Sequence, residues 1–166
     1  KKSLRRYINY LPQQPYIFSG SIMENLTLGD DNISEEIIIN ACKTTKILED
    51  ILNMPRQFQS EVVSGTTLSS GQKQRLALTR SLLVDSSIMI LDESTSNLDI
   101  TTEQQIINNL LTITNKTIIF IAHRLSIAKH ADRIIVLEKG KIKEQGTHSE
   151  LIKKDGIYRR LLKNNY

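Results

Sequence analysis

The chain has 166 residues, 39% of them hydrophobic and 24% charged, with a formal net charge of +4. That is the composition of one ordinary globular domain, and a single cysteine, Cys42, excludes an internal disulfide framework. The longest strongly apolar run, residues 118–122, is far too short to span a bilayer, and the lysine-rich start does not read as a secretory signal.

Residues 7–11 predict a short strand, stopped by Pro12 and Pro15. Residues 20–54 carry helical periodicity, first over 21–26 and then through Ile37, Ile38, Ile39 and Ala41 behind Ser34 as a cap. Residues 55–67 look irregular. Ser69 with Gln72 three residues on forms a capping box and opens a helix to about Leu83. The block before residue 85 therefore reads as an all-helical, separate subdomain. Beyond it the pattern alternates. A strand over 87–92 precedes a helix near 101–113, where Thr101 and Gln104 fit a second box and Ile106, Ile107, Leu110 and Leu111 share a face. A strand over 117–122 precedes a short helix around 125–131. Residues 133–138 and 141–145 flank Lys139-Gly140, a two-residue hairpin signal. Thr147 and Glu150 cap a last helical stretch, interrupted at Gly156. Strands alternating with helices argue an α/β core with a parallel sheet.

Charge is uneven along this order. Residues 139–166 hold eight Lys/Arg against three Asp/Glu. Aromatic residues are few and not interleaved with the basic ones, which argues against a base-stacking surface and against a nucleic-acid partner.

Residues able to carry chemistry fall at element ends. An apolar strand delivers its last residues to the carboxyl edge of the sheet, where open α/β folds bind ligands. Asp92 and Glu93 stand there. An aspartate at such an edge can hold Mg²⁺, and a neighbouring glutamate can orient or deprotonate a water; alone, such a pair is more often simply solvated. Ser69, Ser70 and Gly71 offer backbone N–H groups, a hydroxyl and the positive end of a helix dipole, which suits phosphate, although many helices open this way with no ligand. Gln13, in a turn between two prolines, can present its amide to a water or a cation. His123 and Arg124 follow a strand and can reach phosphate from the same edge. His130 and His148 lack partners at metal-ligand spacing and read as surface or packing residues. No stretch of this sequence reads Gly-x-x-x-x-Gly-Lys-[Ser/Thr], the loop that cradles β- and γ-phosphates.

In order and spacing these segments resemble the nucleotide-binding domain of ATP-binding cassette (ABC) transporters. Tyr10-Leu11-Pro12-Gln13-Gln14-Pro15 and Ile17-Phe18-Ser19-Gly20-Ser21-Ile22-Met23-Glu24-Asn25 are similar to the glutamine loop and its exporter-type continuation. Leu68-Ser69-Ser70-Gly71-Gln72-Lys73-Gln74-Arg75 is similar to the family signature. Residues 88–93 resemble the Walker B strand, 96–99 the D-loop, 121–124 the switch-histidine loop, and 136–151 the C-terminal hairpin and helix.

The resemblance implies a P-loop NTPase core of the α/β class, mostly parallel and present in part, with an inserted all-helical subdomain. Residues 1–15 would be the glutamine-loop strand and turn, 16–85 the helical subdomain with the signature, and 86–166 the remainder of the core. The family's adenine-stacking aromatic and P-loop are expected outside these residues, so residues 1–166 alone are expected to show negligible ATPase activity.

Residue by residue, the resemblance makes ATP and Mg²⁺ the cofactors. Asp92 would coordinate magnesium and Glu93 would be the catalytic base. Gln13 would sense the metal and the attacking water, and His123 would contact the γ-phosphate. Ser69, Ser70, Gly71 and Gln72 would bind ATP held by a second nucleotide-binding domain, with the γ-phosphate contacts on Ser69 and Gly71. The usual Gly-Gly of the signature is Ser70-Gly71 here, which the turn is expected to tolerate. That arrangement demands a head-to-tail dimer whose interface Asp99 lines. Glu61 and the Gln13 region would meet the coupling helices of a transmembrane domain at the cytoplasmic face of the cell membrane. Bacterial peptide and bacteriocin exporters are the most similar subclass. One alternative is a chromosome-maintenance-type ATPase, but the long heptad segments that flank its signature have no counterpart here. The other is a truncated regulatory module without enzymatic activity.

Overall fold

The computed structural model describes residues 7–63, 68–122, 125 and 127–164. Two compact units divide the chain, one through Ile121 and one from Ala122 onward.

The first unit is organised by a three-stranded parallel sheet in the order β1 (Ile8–Leu11), β4 (Ile88–Asp92), β5 (Thr117–Ile121). Parallel neighbours need long crossovers. The one from β1 to β4 carries the helical block, and the one from β4 to β5 carries α5 (Ile100–Leu111). Along β4 the side chains alternate as a pleat requires: Met89 and Leu91 are fully buried while Ile88, Ile90 and Asp92 are half-buried. The register sets Leu11 beside Leu91 and Asp92 beside Ile121, so β1 and β4 run out at the same edge.

The helical block holds α1 (Ile22–Thr27), α2 (Glu35–Thr44), α3 (Leu48–Leu52) and α4 (Ser70–Leu83). The continuous periodicity over 20–54 resolves into three helices because the backbone turns left-handed at Leu28 and again at Lys46, with φ of 55° and 60°. The block also contains one bridge that is not helical. Gly20–Ser21 (β2) pairs antiparallel with Glu61–Val62 (β3), and the Ile22 amide donates to Ser60 O at 3.0 Å, which occupies a donor the first turn of α1 cannot use. Residues 57–59 add a single 3₁₀ turn to the segment that reads as irregular.

Helical block and sheet share one core. Ile22, Leu26, Ile38, Ile47, Ile51, Leu76 and Leu78 from the helices pack with Leu11, Met89 and Leu91 from the strands and Ile106 and Leu110 from α5. Each fully buried side chain of this kind contributes about 1.5–3 kcal/mol relative to exposure. A polar tie runs alongside: the Asn9 side-chain amide on β1 donates to Ser81 O of α4 at 2.8 Å. Asn25, buried on α1, closes the segment before it by accepting from the Phe18 amide at 2.8 Å and donating to Phe18 O and Ser21 O.

The second unit is the hairpin of β6 (Ile134–Glu138) and β7 (Lys141–Gly146), followed by α6 (His148–Leu151) and α7 (Ile157–Asn164). Lys139 and Gly140 both have positive φ, 51° and 72°, as the two-residue turn expected from sequence requires. Ahead of the hairpin, the helix anticipated around 125–131 is a single 3₁₀ turn, Ala128–His130. Glu144 on β7 accepts the Ile157 and Tyr158 amides at 2.6 and 3.1 Å and so starts α7, while the Tyr158 hydroxyl meets His148 Nδ1 at 2.7 Å. That pairing gives His148 the packing role its isolation in sequence implied.

Candidate functional site

The shared end of β1 and β4 gathers four of the residues singled out above or next to them. Asp92 closes β4 and accepts the Tyr10 hydroxyl on Oδ2 at 2.7 Å. Glu93 follows, and its Oε2 receives Gln13 Nε2 at 2.6 Å. Each bond spans eighty or more residues of sequence, so this cluster exists only because β1 and β4 are parallel and in register. Glu93 itself departs from strand geometry. Its φ is 46°, and its amide still donates to Ile121 O at 2.9 Å, which extends the β4–β5 ladder by one residue while the side chain turns toward Gln13. The bond to Asp92 raises the pKa of the Tyr10 phenol above its ordinary value.

This donor set is one carboxylate, one amide oxygen and a second carboxylate next to it. It suits a hard cation that keeps much of its own shell of water and phosphate oxygens, as magnesium does, rather than an all-protein cage. Among the described residues no three His, Cys, Asp or Glu side chains form such a cage.

The signature turn lies at the start of α4. Ser69 is the N-cap: its hydroxyl accepts the Gln72 amide at 3.2 Å, and Gln72 Oε1 accepts the Ser69 amide at 3.0 Å, closing the capping box read from the sequence. Ser69 and Ser70 are exposed, at the N-terminus of a 14-residue helix whose dipole favours an anion there. Gly71 lies against the following loop, since a Cβ placed on it would meet Asn97 O and a Leu98 methyl at 3.4 Å. Gln72 reaches further, with Nε2 donating to Asp50 Oδ1 on α3 at 2.8 Å. Asp50 Oδ2 holds Arg75 Nη1 at 2.7 Å. Burial pushes the Asp50 carboxyl up, but the bonds from Gln72 and Arg75 and the guanidinium charge outweigh it and leave the group below its usual range.

Residues 93–99 connect the two places. Ser96 and Leu98 amides close successive turns onto Glu93 O and Thr95 O at 3.1 Å, and Thr95 donates to Glu103 at 2.5 Å. Asp99 caps α5, its Oδ1 accepting the Thr102 amide at 2.9 Å. The helix thus starts two residues earlier than the Thr101–Gln104 box predicts: buried Leu98 anchors the turn, and an aspartate carboxylate so placed takes the free amide of the helix's third residue, Thr102. The bonds from Thr102 hold the Asp99 carboxyl below its ordinary range, and the side chain remains exposed.

Sequence reasoning missed Gln74. It is buried on α4, donates to Ser96 Oγ at 3.3 Å and accepts the Asn97 amide at 3.0 Å, so it ties the signature helix to the loop after Glu93. The signal was present, because Gln74 falls on the same helical face as the buried Ala77, Leu78 and Ser81, where an amide has no reason to be unless it has partners. Of the other expected residues, Glu61 is exposed on β3, whereas His123 and Arg124 lie outside the described residues.

A family model described as ABC transporter matches residues 1–96. The chain is 54% identical to the mesentericin-Y105 transport/processing ATP-binding protein MesD of Leuconostoc mesenteroides over 159 residues, which is 95% of this chain and 22% of that protein. It is 51% identical to the transport/processing ATP-binding protein ComA of Streptococcus pneumoniae R6 over 164 residues, 98% of this chain and 23% of that one. The pediocin PA-1 transport/processing ATP-binding protein PedD of Pediococcus acidilactici is 50% identical over 163 residues, covering 97% and 22%. The chain thus spans less than a quarter of the length of these curated relatives. Among solved structures, a bacterial Atm1-family ABC exporter with ATP bound superposes with a TM-score of 0.91 at 35% identity, over 98% of this chain and 29% of that one.

Proposed function

The chain belongs to the ABC transporter family, and from that premise we propose that it serves as the ATP-binding and ATP-hydrolysing domain of an exporter whose cargo is a peptide. The observation that carries this reading is the pairing of Gln13 with Glu93 beside Asp92 at the carboxyl edge of the sheet. A carboxylate in that position, held in orientation by an amide on one oxygen, is placed to take a proton from water. The water oxygen then attacks the γ-phosphorus, the bond from that phosphorus to the bridging oxygen breaks, ADP leaves with the bonding pair, and Glu93 keeps the proton until phosphate departs. Asp92 and Gln13 are the residues that would hold magnesium, which when bound neutralises charge on the phosphates. Tyr10 fixes the Asp92 carboxylate in orientation.

The turn offers an anion the Ser69 hydroxyl, the amides of its first residues and the helix dipole, and we assign Ser69 and Gly71, with Ser70 and Gln72, to the γ-phosphate of ATP held by a second nucleotide-binding domain. Residues 16–85 would then act as the helical subdomain that brings this turn to the partner, head to tail, with Asp99 at the interface. By the family resemblance alone, His123 is also assigned to the γ-phosphate. The Gln13 region and Glu61 are assigned to contacts with a transmembrane domain on the cytoplasmic side of the membrane. No helix among the described residues is long and apolar enough to cross it. The peptide cargo is inferred from relatives whose names specify transport and processing of mesentericin and pediocin.

In the intact protein carrying these residues, Glu93→Gln should lower magnesium-dependent ATP turnover by about 10²–10⁴-fold, the usual contribution of a positioned general base, and leave ATP binding in place. Unchanged turnover would remove Glu93 as the base. Loss of ATP binding together with turnover would make it a ligand instead.

A further inference from the structure

Resting on the assignment of Ser69 and Gly71 to phosphate, we propose that Asp50 is a positioning residue: from α3 it clamps the Gln72 amide and thereby sets the orientation in which the signature turn presents its donors. An ordinary capping box needs two partners, and Ser69 and Gln72 already satisfy each other. Here the Gln72 side chain has a third. Its oxygen takes the Ser69 amide at 3.0 Å and its nitrogen is held by Asp50 Oδ1 at 2.8 Å, so the side chain is fixed at both ends. The second Asp50 oxygen is bound by Arg75, one turn further along α4, whose Nη1 also donates to Lys46 O. Helix α3 and the carbonyl at the end of α2 are thus joined to two successive positions of α4.

The hydrogen bonds hold Gln72 without help from close packing on every side. Asp50 and Gln72 line an open cleft of about 660 Å³ together with Arg56, Ser60 and Glu61. Chemistry also explains the residue type. A glutamate would close the capping box equally well, since both box residues are common, but its carboxylate would face Asp50. Of the two box residues, only the glutamine amide accepts from Ser69 and donates to a carboxylate at once.

The reversed polarity provides the test. In the intact protein, Asp50→Asn sets donor against donor at Gln72 or at Arg75, and Gln72→Glu sets two carboxylates against each other. Each single change should raise the half-saturating ATP concentration for hydrolysis about tenfold, the size of one charge-assisted hydrogen bond. ADP has no γ-phosphate for the turn to meet, so its affinity should not move. The double change D50N/Q72E restores a donor facing an acceptor and keeps the Arg75 bond, and it should return the ATP dependence to within about twofold of the parent. A role limited to stability would shift unfolding, and recover with the exchange, while ATP and ADP dependence stayed in their parent ratio throughout. Parent-like ATP dependence in both single variants, or additive loss in the double, overturns the proposal. Ser69→Ala run in parallel separates the two levels. A large loss there with Asp50→Asn at parent level rejects the clamp and keeps the phosphate assignment, whereas parent-like turnover for Ser69→Ala rejects the assignment and the clamp with it.

Discussion

The carboxylate edge and the signature turn are held by opposite kinds of contact. At the edge, Asp92 and Glu93 each receive a bond from a residue on or just beyond β1, eighty or more positions away, and both bonding partners are exposed. At the turn, Ser69 and Gln72 satisfy each other three residues apart before any other element arrives. The first site is assembled by the sheet, whereas the second is preformed and only then oriented, by Asp50 on one side and by Gln74 through the intervening loop on the other. Damage to the core should therefore reach the edge sooner than the turn.

The hardest break of this contrast is Leu91→Ala, one residue before Asp92 and fully buried. A cavity there should cost about 2–5 kcal/mol in urea unfolding, and in the intact protein, on the role proposed for Asp92, ATP turnover should fall more than nucleotide affinity because Asp92 loses its seat. A cost below about 1 kcal/mol would mean that the edge does not depend on the packing beneath it. Gln74→Leu sharpens the same comparison from the middle. It leaves the Asn97 amide without its acceptor and should destabilise by about 1–3 kcal/mol, with a loss of coupling between the turn and the loop after Glu93. The smallest effect is the response to acid. Glu144 is held below its ordinary 4.5 by the amides of Tyr158 and Ile157, so its contribution is present above that value and lost as the pH falls through the lower folded one. Unfolding midpoints should be level above about pH 5 and decline below pH 4.5, and Glu144→Gln should make that decline shallower.

The same contrast explains how much was legible. Local signals survived folding unchanged: the boxes at Ser69 and Thr147, the Lys139-Gly140 turn and the apolar strand before Asp92 depend on neighbours within four residues. Where two local signals overlapped, sequence alone chose the wrong one. Thr101 with Gln104 matches the box better, yet Asp99 wins because the buried Leu98 fixes where the turn ends. The breaks at Leu28 and Lys46 were hidden for another reason, since neither residue type announces a left-handed backbone. Tyr10 with Asp92 and Gln13 with Glu93 could not be read at all without the register of β1 on β4, and the sequence offered Gln13 a water or a cation but not Glu93 as its partner.

Glu93 adopts a backbone conformation that glycine would enter freely and that costs a side-chain-bearing residue about 1–3 kcal/mol. A glutamate at this position therefore runs against the local backbone's own preference. On the role proposed for Glu93, Glu93→Gly in the intact protein should unfold at a higher temperature than the parent while losing ATP turnover, so a screen for thermal tolerance would enrich a change that removes the proposed base. Stability and turnover would diverge at a single codon, and a library scored on both would place position 93 at the far corner of that trade-off.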